Sequence, residues 1–285
     1  MLRQITGKLL SDKEWLCLKV SYVLVILPLM GIMIYGVTGC PFPTGVCRLW
    51  SFSPLFTTVG KPLLLSVYVM AALLYIMEVG MLGVTLLLFL LSCIIISAHE
   101  SNGIFFRATV ISVIWGGQFL AYMQKRFNPS FHLQRFRINY SIQLIAAVYT
   151  LAAIAKLQAS GVQWINAGSL FPLQVMKNFA YMYFDSGSQH VMEQGKSIAY
   201  FLLQYTLVSK VFLAIALALE LFCFAAVLGK RWRVAFGIGL LLMHIGIAAV
   251  MGIGMSVISK PMIVFFLNPL YALWLLAAYI KGKSR

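Results

Sequence analysis

Stretches of Leu, Ile, Val, Phe and Met long enough to cross about 30 Å of hydrocarbon recur along the whole chain, each broken only by a short polar segment. A soluble core has no use for so much apolar surface. Of the 285 residues, 61% are hydrophobic and 10% charged, far below the charge fraction of a soluble domain. The pattern predicts an all-α integral membrane protein: a bundle of about eight transmembrane helices in a single domain over 1–285, with short interfacial helices on the outer side. The predicted helices are 16–36, 62–77, 80–98, 104–122, 139–159, 200–228, 233–253 and 261–280. The run from Val20 to Gly36 is too long for a signal-peptide core and has no clear small-x-small cleavage site, so it reads as a retained first helix.

The formal net charge of +15 raises the question of nucleic acid. The 22 Lys and Arg lie in short clusters beside apolar runs, with no polar domain left to present them, which argues against it and for membrane orientation. With the N-terminus inside and eight crossings, Arg3, Lys8, Lys13, Lys19, Lys125, Arg126, Arg135, Arg137, Lys230, Arg231, Arg233, Lys281, Lys283 and Arg285 fall inside. Arg48, Lys61, Arg107, Lys177, Lys196 and Lys260 fall outside, and Lys156 and Lys210 lie within helices or at their outer ends. This asymmetry predicts a multi-pass protein of the cell membrane with both termini cytoplasmic. Membrane lipid is then its first partner.

The outer segment after the first helix carries Cys40 and Cys47 in CPFPTGVC. Two cysteines flanking a Pro-Phe-Pro turn on the oxidising side are suited to a small disulfide loop; free thiols or a redox-active pair are the alternatives. No further outer Cys or nearby His completes a zinc ligand set, so no metal site is expected. The longest connection, about 160–199, is rich in aromatics such as Trp164, Phe179, Tyr181 and Phe184. That composition suits one or two short helices at the outer interface, forming a lid.

Charged groups at membrane depth are costly, so each is a candidate for function. Lys156, in the outer third of the fifth predicted helix, either snorkels to the interface or faces the bundle, where desolvation makes it a base or a binding group. Glu220, buried nearer the inner half of the sixth predicted helix, has no partner in its own helix and must pair across the bundle or stay protonated. His244 falls near the midplane, as a structural hydrogen bonder or in proton transfer. The outer turn SAHESNG adds His99, Glu100 and Asn102 on the side of Lys156. Glu78 occupies the tight turn between the second and third helices, at the water boundary.

Gln143, the Lys156-Leu157 pair and Trp164, then ELF at 220–222 before GKRWR, then MHIGIAAVMGIGM at 243–255, together resemble the HTTM superfamily, the transmembrane domain shared by vitamin K-dependent gamma-glutamyl carboxylases and many bacterial proteins. Cys40, Cys47 and the HIG stretch at 244–246 make the chain most similar to bacterial SdpB-type proteins, which take part in maturing a secreted antimicrobial peptide toxin. The resemblance implies a helical bundle with a cavity open to the outer leaflet, a companion protein and a secreted peptide substrate. It makes Lys156 the match for the lysine of the carboxylases' hydroquinone chemistry, with His244 and His99 as further catalytic candidates. Glu100, Asn102, Trp164 and Glu220 are then candidates for substrate binding, His99 and Asn102 being approximate matches to the carboxylases' pattern. The large lumenal domain of the carboxylases has no counterpart here, which places glutamate carboxylation in doubt. The residues specify no cofactor. The rival readings are a non-enzymatic export, immunity or scaffold protein, and a quinone-linked membrane oxidoreductase.

Overall fold

The computed structural model describes residues 12–103, 108–166, 168, 170–254 and 256–283, with the side chains of 134, 135, 256 and 281–283 outside that description. Arg3, Lys8, Arg107 and Arg285, which enter the charge ledger above, lie outside the described residues, as does Met255 of the HTTM-like stretch. The regular elements among the described residues are all helices, with no strand among them. In chain order the helices are α1 (Asp12–Tyr35), α2 (Gly60–Ile76), α3 (Met81–Glu100), α4 (Thr109–Phe127), α5 (Leu133–Ser160), α6 (Gln163–Asn166), α7 (Phe171–Ser186), α8 (Gln189–Gln204), α9 (Thr206–Leu221), α10 (Lys230–Met251), α11 (Ser256–Met262) and α12 (Pro269–Lys283). A 3₁₀ turn, Phe222–Val227, extends α9, and a π-helical turn, Ile263–Leu267, follows α11.

Among the described residues five helices are long and apolar enough to cross a membrane: Asp12–Tyr35, Met81–Glu100, Phe136–Ser160, Thr206–Val227 and Lys230–Met251. Val257–Leu267 and Pro269–Ile280 make a sixth if the pair, bent by 41°, counts as one span. Each of the eight expected segments contains helix, the first four residues of 104–122 lying outside the described residues, but among the described residues only these meet the length and hydropathy a span requires. Gly60–Ile76 is apolar but shorter, and α4 carries Gln118, Gln124, Lys125 and Arg126.

Two expected spans are not single helices. The segment 200–228 breaks at Tyr205 (φ −115°, ψ 62°), which gives residues 200–204 to α8. The segment 261–280 breaks at Asn268, which takes a left-handed φ of 46° just before Pro269. The proline ring disfavours the helical conformation for the residue before it, and Asn tolerates the left-handed region better than most residues.

The chain divides into two compact units, Met1–Ile145 with Lys260–Arg285, and Ala146–Ser259, so that α5 supplies its first half to one and its second half to the other. In the first unit α1 packs on α2, α3 and α12, and α3 packs on α4. Its core is aromatic. Trp15, Tyr22, Tyr68, Tyr75 and Trp115 are almost wholly buried, with edge-on or tilted rings: Tyr75 to Trp115 at 4.8 Å and Tyr22 to Trp115 at 4.9 Å between centroids. Their polar tips are satisfied inside, as a lipid solvent demands. Tyr75 donates to Gln118 Oε1 (2.6 Å), Trp115 donates to the Tyr68 hydroxyl (3.1 Å), and the Tyr68 hydroxyl shares a hydrogen bond with Ser92 (3.1 Å).

Contacts in this unit establish chain direction. Near the start of α1, Lys19 donates to the Ile76 carbonyl (2.8 Å) and to Glu78 Oε1 (2.8 Å), Trp15 donates to the same carboxylate oxygen, and Arg137 at the start of α5 stands 3.7 Å from it. At the opposite end of α1, Lys61 donates to the Tyr35 carbonyl (3.3 Å), and Asn102 beyond α3 donates to the Gly39 carbonyl (2.8 Å). Thus α1 and α3 run one way and α2 the other. Glu78 itself takes φ 60° in the turn that reverses α2 into α3. Two cations and an indole hold its carboxylate, and these outweigh the desolvation that opposes its charge, so its pKa lies below the usual glutamate value.

The second unit is built on α9 and α10, with α7 and α8 as an antiparallel pair against them. Small residues of α10 lie against side-chain tips of α9: a Cβ on Gly239 would meet Leu219 Cδ2 at 2.8 Å and one on Gly246 would meet Phe212 Cε2 at 3.1 Å. The segment predicted as a lid is therefore three helices, α6 to α8. Phe171, Val175, Phe179 and Leu202 pack with Leu213 of α9 into a buried cluster.

Candidate functional site

Buried residues on α5 recur at Ile142, Ala146, Tyr149 and Ala153, the spacing of one helical face, and Lys156 continues that face outward. Across from it, Ser209, Leu213, Leu217 and Glu220 form the buried face of α9, and Gly237, Leu240 and His244 that of α10. The sequence thus points three ionisable side chains inward from apolar helices, where each needs a partner.

Two pairs result. Lys156 donates to Glu220 Oε2 in a close ion pair whose side chains are 29% and 10% exposed, so the ammonium keeps a reachable side while the carboxylate is enclosed. The Lys156 ammonium also stands 5.4 Å from the ring centroid of Trp164 on α6, within cation–π range. Deeper, the Tyr149 hydroxyl and His244 Nε2 lie 3.3 Å apart, with ring centroids at 5.7 Å. Thr150 links the two pairs through the backbone, its hydroxyl donating to the carbonyls of Glu220 (3.4 Å) and Leu221 (3.5 Å). Cys223 is buried on the turn that follows α9.

Glu220 therefore finds the cross-bundle partner its position demands, and that partner is Lys156. Trp164 joins them and His244 belongs to the same unit. His99, Glu100 and Asn102 belong to the other unit, at the end of α3. There His99 is buried, and Asn102 spends both amide hydrogens on the carbonyls of Gly39 (2.8 Å) and Ala98 (2.7 Å), a role in holding a loop to a helix end. Cys40 and Cys47 flank that loop as thiols with sulfurs 2.9 Å apart.

No protein-family model, curated protein or solved structure matches this chain. The chemistry must be read from its own residues.

Sequence reasoning missed Tyr149 and Thr150. The signal was present, because Tyr149 stands seven residues before Lys156 and shares its helical face. It also missed the Lys19, Glu78 and Arg137 cluster, whose members come from three separate helix ends. Among the described residues no group of three or more His, Cys, Asp or Glu is placed to hold a metal ion.

What the arrangement can do is limited and specific. Passing the shared proton from the Lys156 ammonium to Glu220 leaves a neutral amine beside a carboxylic acid, a base and an acid in contact within an apolar setting. Trp164 supplies a flat aromatic wall beside the amine. Tyr149 orients the His244 ring from the buried side.

Proposed function

We propose that this chain is an HTTM-type membrane protein of eight transmembrane helices with both termini cytoplasmic. In this reading it is the membrane component of a maturation system for a secreted toxin or antimicrobial peptide, working with a companion protein. The observation that carries the reading is the Lys156–Glu220 pair beside Trp164: an ion pair in apolar helices, with the lysine on the reachable side. A charge at the centre of a membrane helix costs about 3 kcal/mol even on the mildest scale, and an acid–base task at this site accounts for keeping two. Support for the eight-helix count comes from helices at all eight expected positions. Support for the orientation comes from Lys19, Glu78 and Arg137, which the positive-inside pattern puts on one side and which meet in space.

Lys156 is the group that acts on or holds the peptide, Glu220 takes or returns its proton, and the Tyr149–His244 pair maintains the buried wall. Co-expression of the Lys156→Ala variant with the precursor peptide is the test. The expected result is loss of the mature peptide with the variant still present in the membrane at wild-type amount. Normal maturation removes the catalytic role.

One observation favours a second reading, a non-enzymatic scaffold or immunity protein: Lys156 and Glu220 satisfy one another, as a structural pair does. In that case Lys156→Met combined with Glu220→Leu retains function, whereas under the first reading the double variant is inactive.

A further inference from the structure

The loop between α1 and α2 does not hang free at the helix ends. Its backbone and side chains are laid against the last turn of α3. Thr44 N–H donates to Ser101 Oγ (3.0 Å), Val46 N–H to Ser97 Oγ (3.2 Å) and Phe42 N–H to the Ser101 carbonyl (3.1 Å), while the Thr44 hydroxyl donates to the Ser97 carbonyl (3.2 Å). Ser101 lies just beyond α3, and its carbonyl is one that a helix C-terminus leaves without a partner inside the helix; the Ser97 carbonyl, already bonded to Ser101 N–H (2.9 Å), accepts the Thr44 hydroxyl as well. The approach is close enough to require glycine at its centre. Gly45 takes φ 52°, and a Cβ there would stand 2.3 Å from Ser97 Oγ. Cys40 and Cys47 bracket the docked stretch, and their sulfurs are 2.9 Å apart.

We infer that Cys40 and Cys47 form a thiol–disulfide clamp: as thiols they leave this loop held to the end of α3 by hydrogen bonds alone, and closure to a disulfide locks it there against opening. A disulfide bond is about 2.05 Å long, so closure moves the sulfurs together by less than about 1 Å and leaves the docked geometry in place. The oxidant is a disulfide, supplied by a thiol oxidoreductase or by oxidised glutathione. The half-buried Cys40, as thiolate, attacks one sulfur of that disulfide and expels the other as a thiol. Cys47 then attacks the Cys40 sulfur of the mixed disulfide and expels the second thiol. Two electrons and two protons pass from the cysteine pair to the acceptor, which ends as two thiols.

The pair is built as a clamp and not as an exchange catalyst. Cys47 is 5% exposed, and burial first, then its contact with Cys40, pushes its thiol up to about 12, against a smaller opposing effect of Ser101. A buried thiol of that kind is a poor nucleophile toward outside partners and reacts with the neighbour already against it. The inference concerns the first unit alone and does not depend on the role proposed for Lys156.

The test uses the purified full chain in detergent micelles, treated with oxidised glutathione and then with dithiothreitol, with mass spectrometry of the 40–47 peptide and amide exchange over 41–47. The expected result is loss of two hydrogens without a lasting glutathione adduct, with exchange at Phe42, Thr44 and Val46 slowed at least tenfold and restored on reduction. The Cys40→Ala/Cys47→Ala variant is expected to exchange at the reduced rate under both conditions. A stable glutathione adduct on Cys40, closure that leaves exchange unchanged, or a redox response in the double-alanine variant overturns the inference.

Discussion

Lys156 and Glu220 are 64 residues apart in the chain and in contact in the fold, and each is tolerable in apolar helices because of the other. Removing one partner leaves an uncompensated charge. Glu220→Leu alone is expected to destabilise the protein by about 3 kcal/mol, the low end for a buried pair because the lysine is partly exposed. Adding Lys156→Met to Glu220→Leu is expected to recover most of that loss. Thermal unfolding of both single variants and the double variant in one detergent checks it; a double variant as unstable as the sum of the singles means the two do not act as a pair. Glu78 makes a different prediction. Its folded pKa is depressed, so its contribution is present above the unfolded glutamate value of about 4.3 and is lost as pH falls through the lower folded value. The wild type should therefore lose melting temperature as pH falls from 5 to 3, and Glu78→Gln should show a shallower acid slope. Parallel curves for the two proteins would mean the Lys19 and Arg137 contacts do not hold the carboxylate.

At the scale of elements, the α7–α8 hairpin shows how a segment that reads as an outer loop becomes a packed layer. Gly187, at φ 66°, ends α7, and the two helices come together where Gly195 faces Phe179. A Cβ at position 195 would stand 2.4 Å from the Phe179 Cβ, a clash with the root of a buried ring that no rotamer change relieves. Gly195→Ala is expected to cost about 1–3 kcal/mol and to loosen the hairpin before the rest of the unit. Limited proteolysis at 186–189 reports it, and unchanged cleavage would show that the hairpin absorbs the methyl group. The break at Asn268-Pro269 is visible in the sequence as a turn dipeptide. A hydropathy reading averages across it, because the apolar residues on both sides are enough for one long span.

Across the whole molecule, the orientation has a direct check. Single cysteines placed at Arg48 and at Asn128, in a background without the native cysteines, are expected to react with a membrane-impermeant maleimide from outside and only from the cytoplasmic side, respectively. The opposite pattern would invert the charge ledger and put the Cys40–Cys47 loop inside.

The amino-acid sequence by itself determined that the chain is helical and suited to a membrane, because in hydrocarbon every backbone polar group must be bonded within its own segment and apolar runs then have one practical conformation. It also singled out Lys156, Glu220 and His244, since a charge or an imidazole among apolar residues is conspicuous without knowledge of its neighbours. Only the tertiary structure decided which of these touch. The Lys156–Glu220 contact, the Tyr149–His244 contact and the three-way meeting at Glu78 depend on helix rotation and packing offset, which leave no pairwise mark in one sequence.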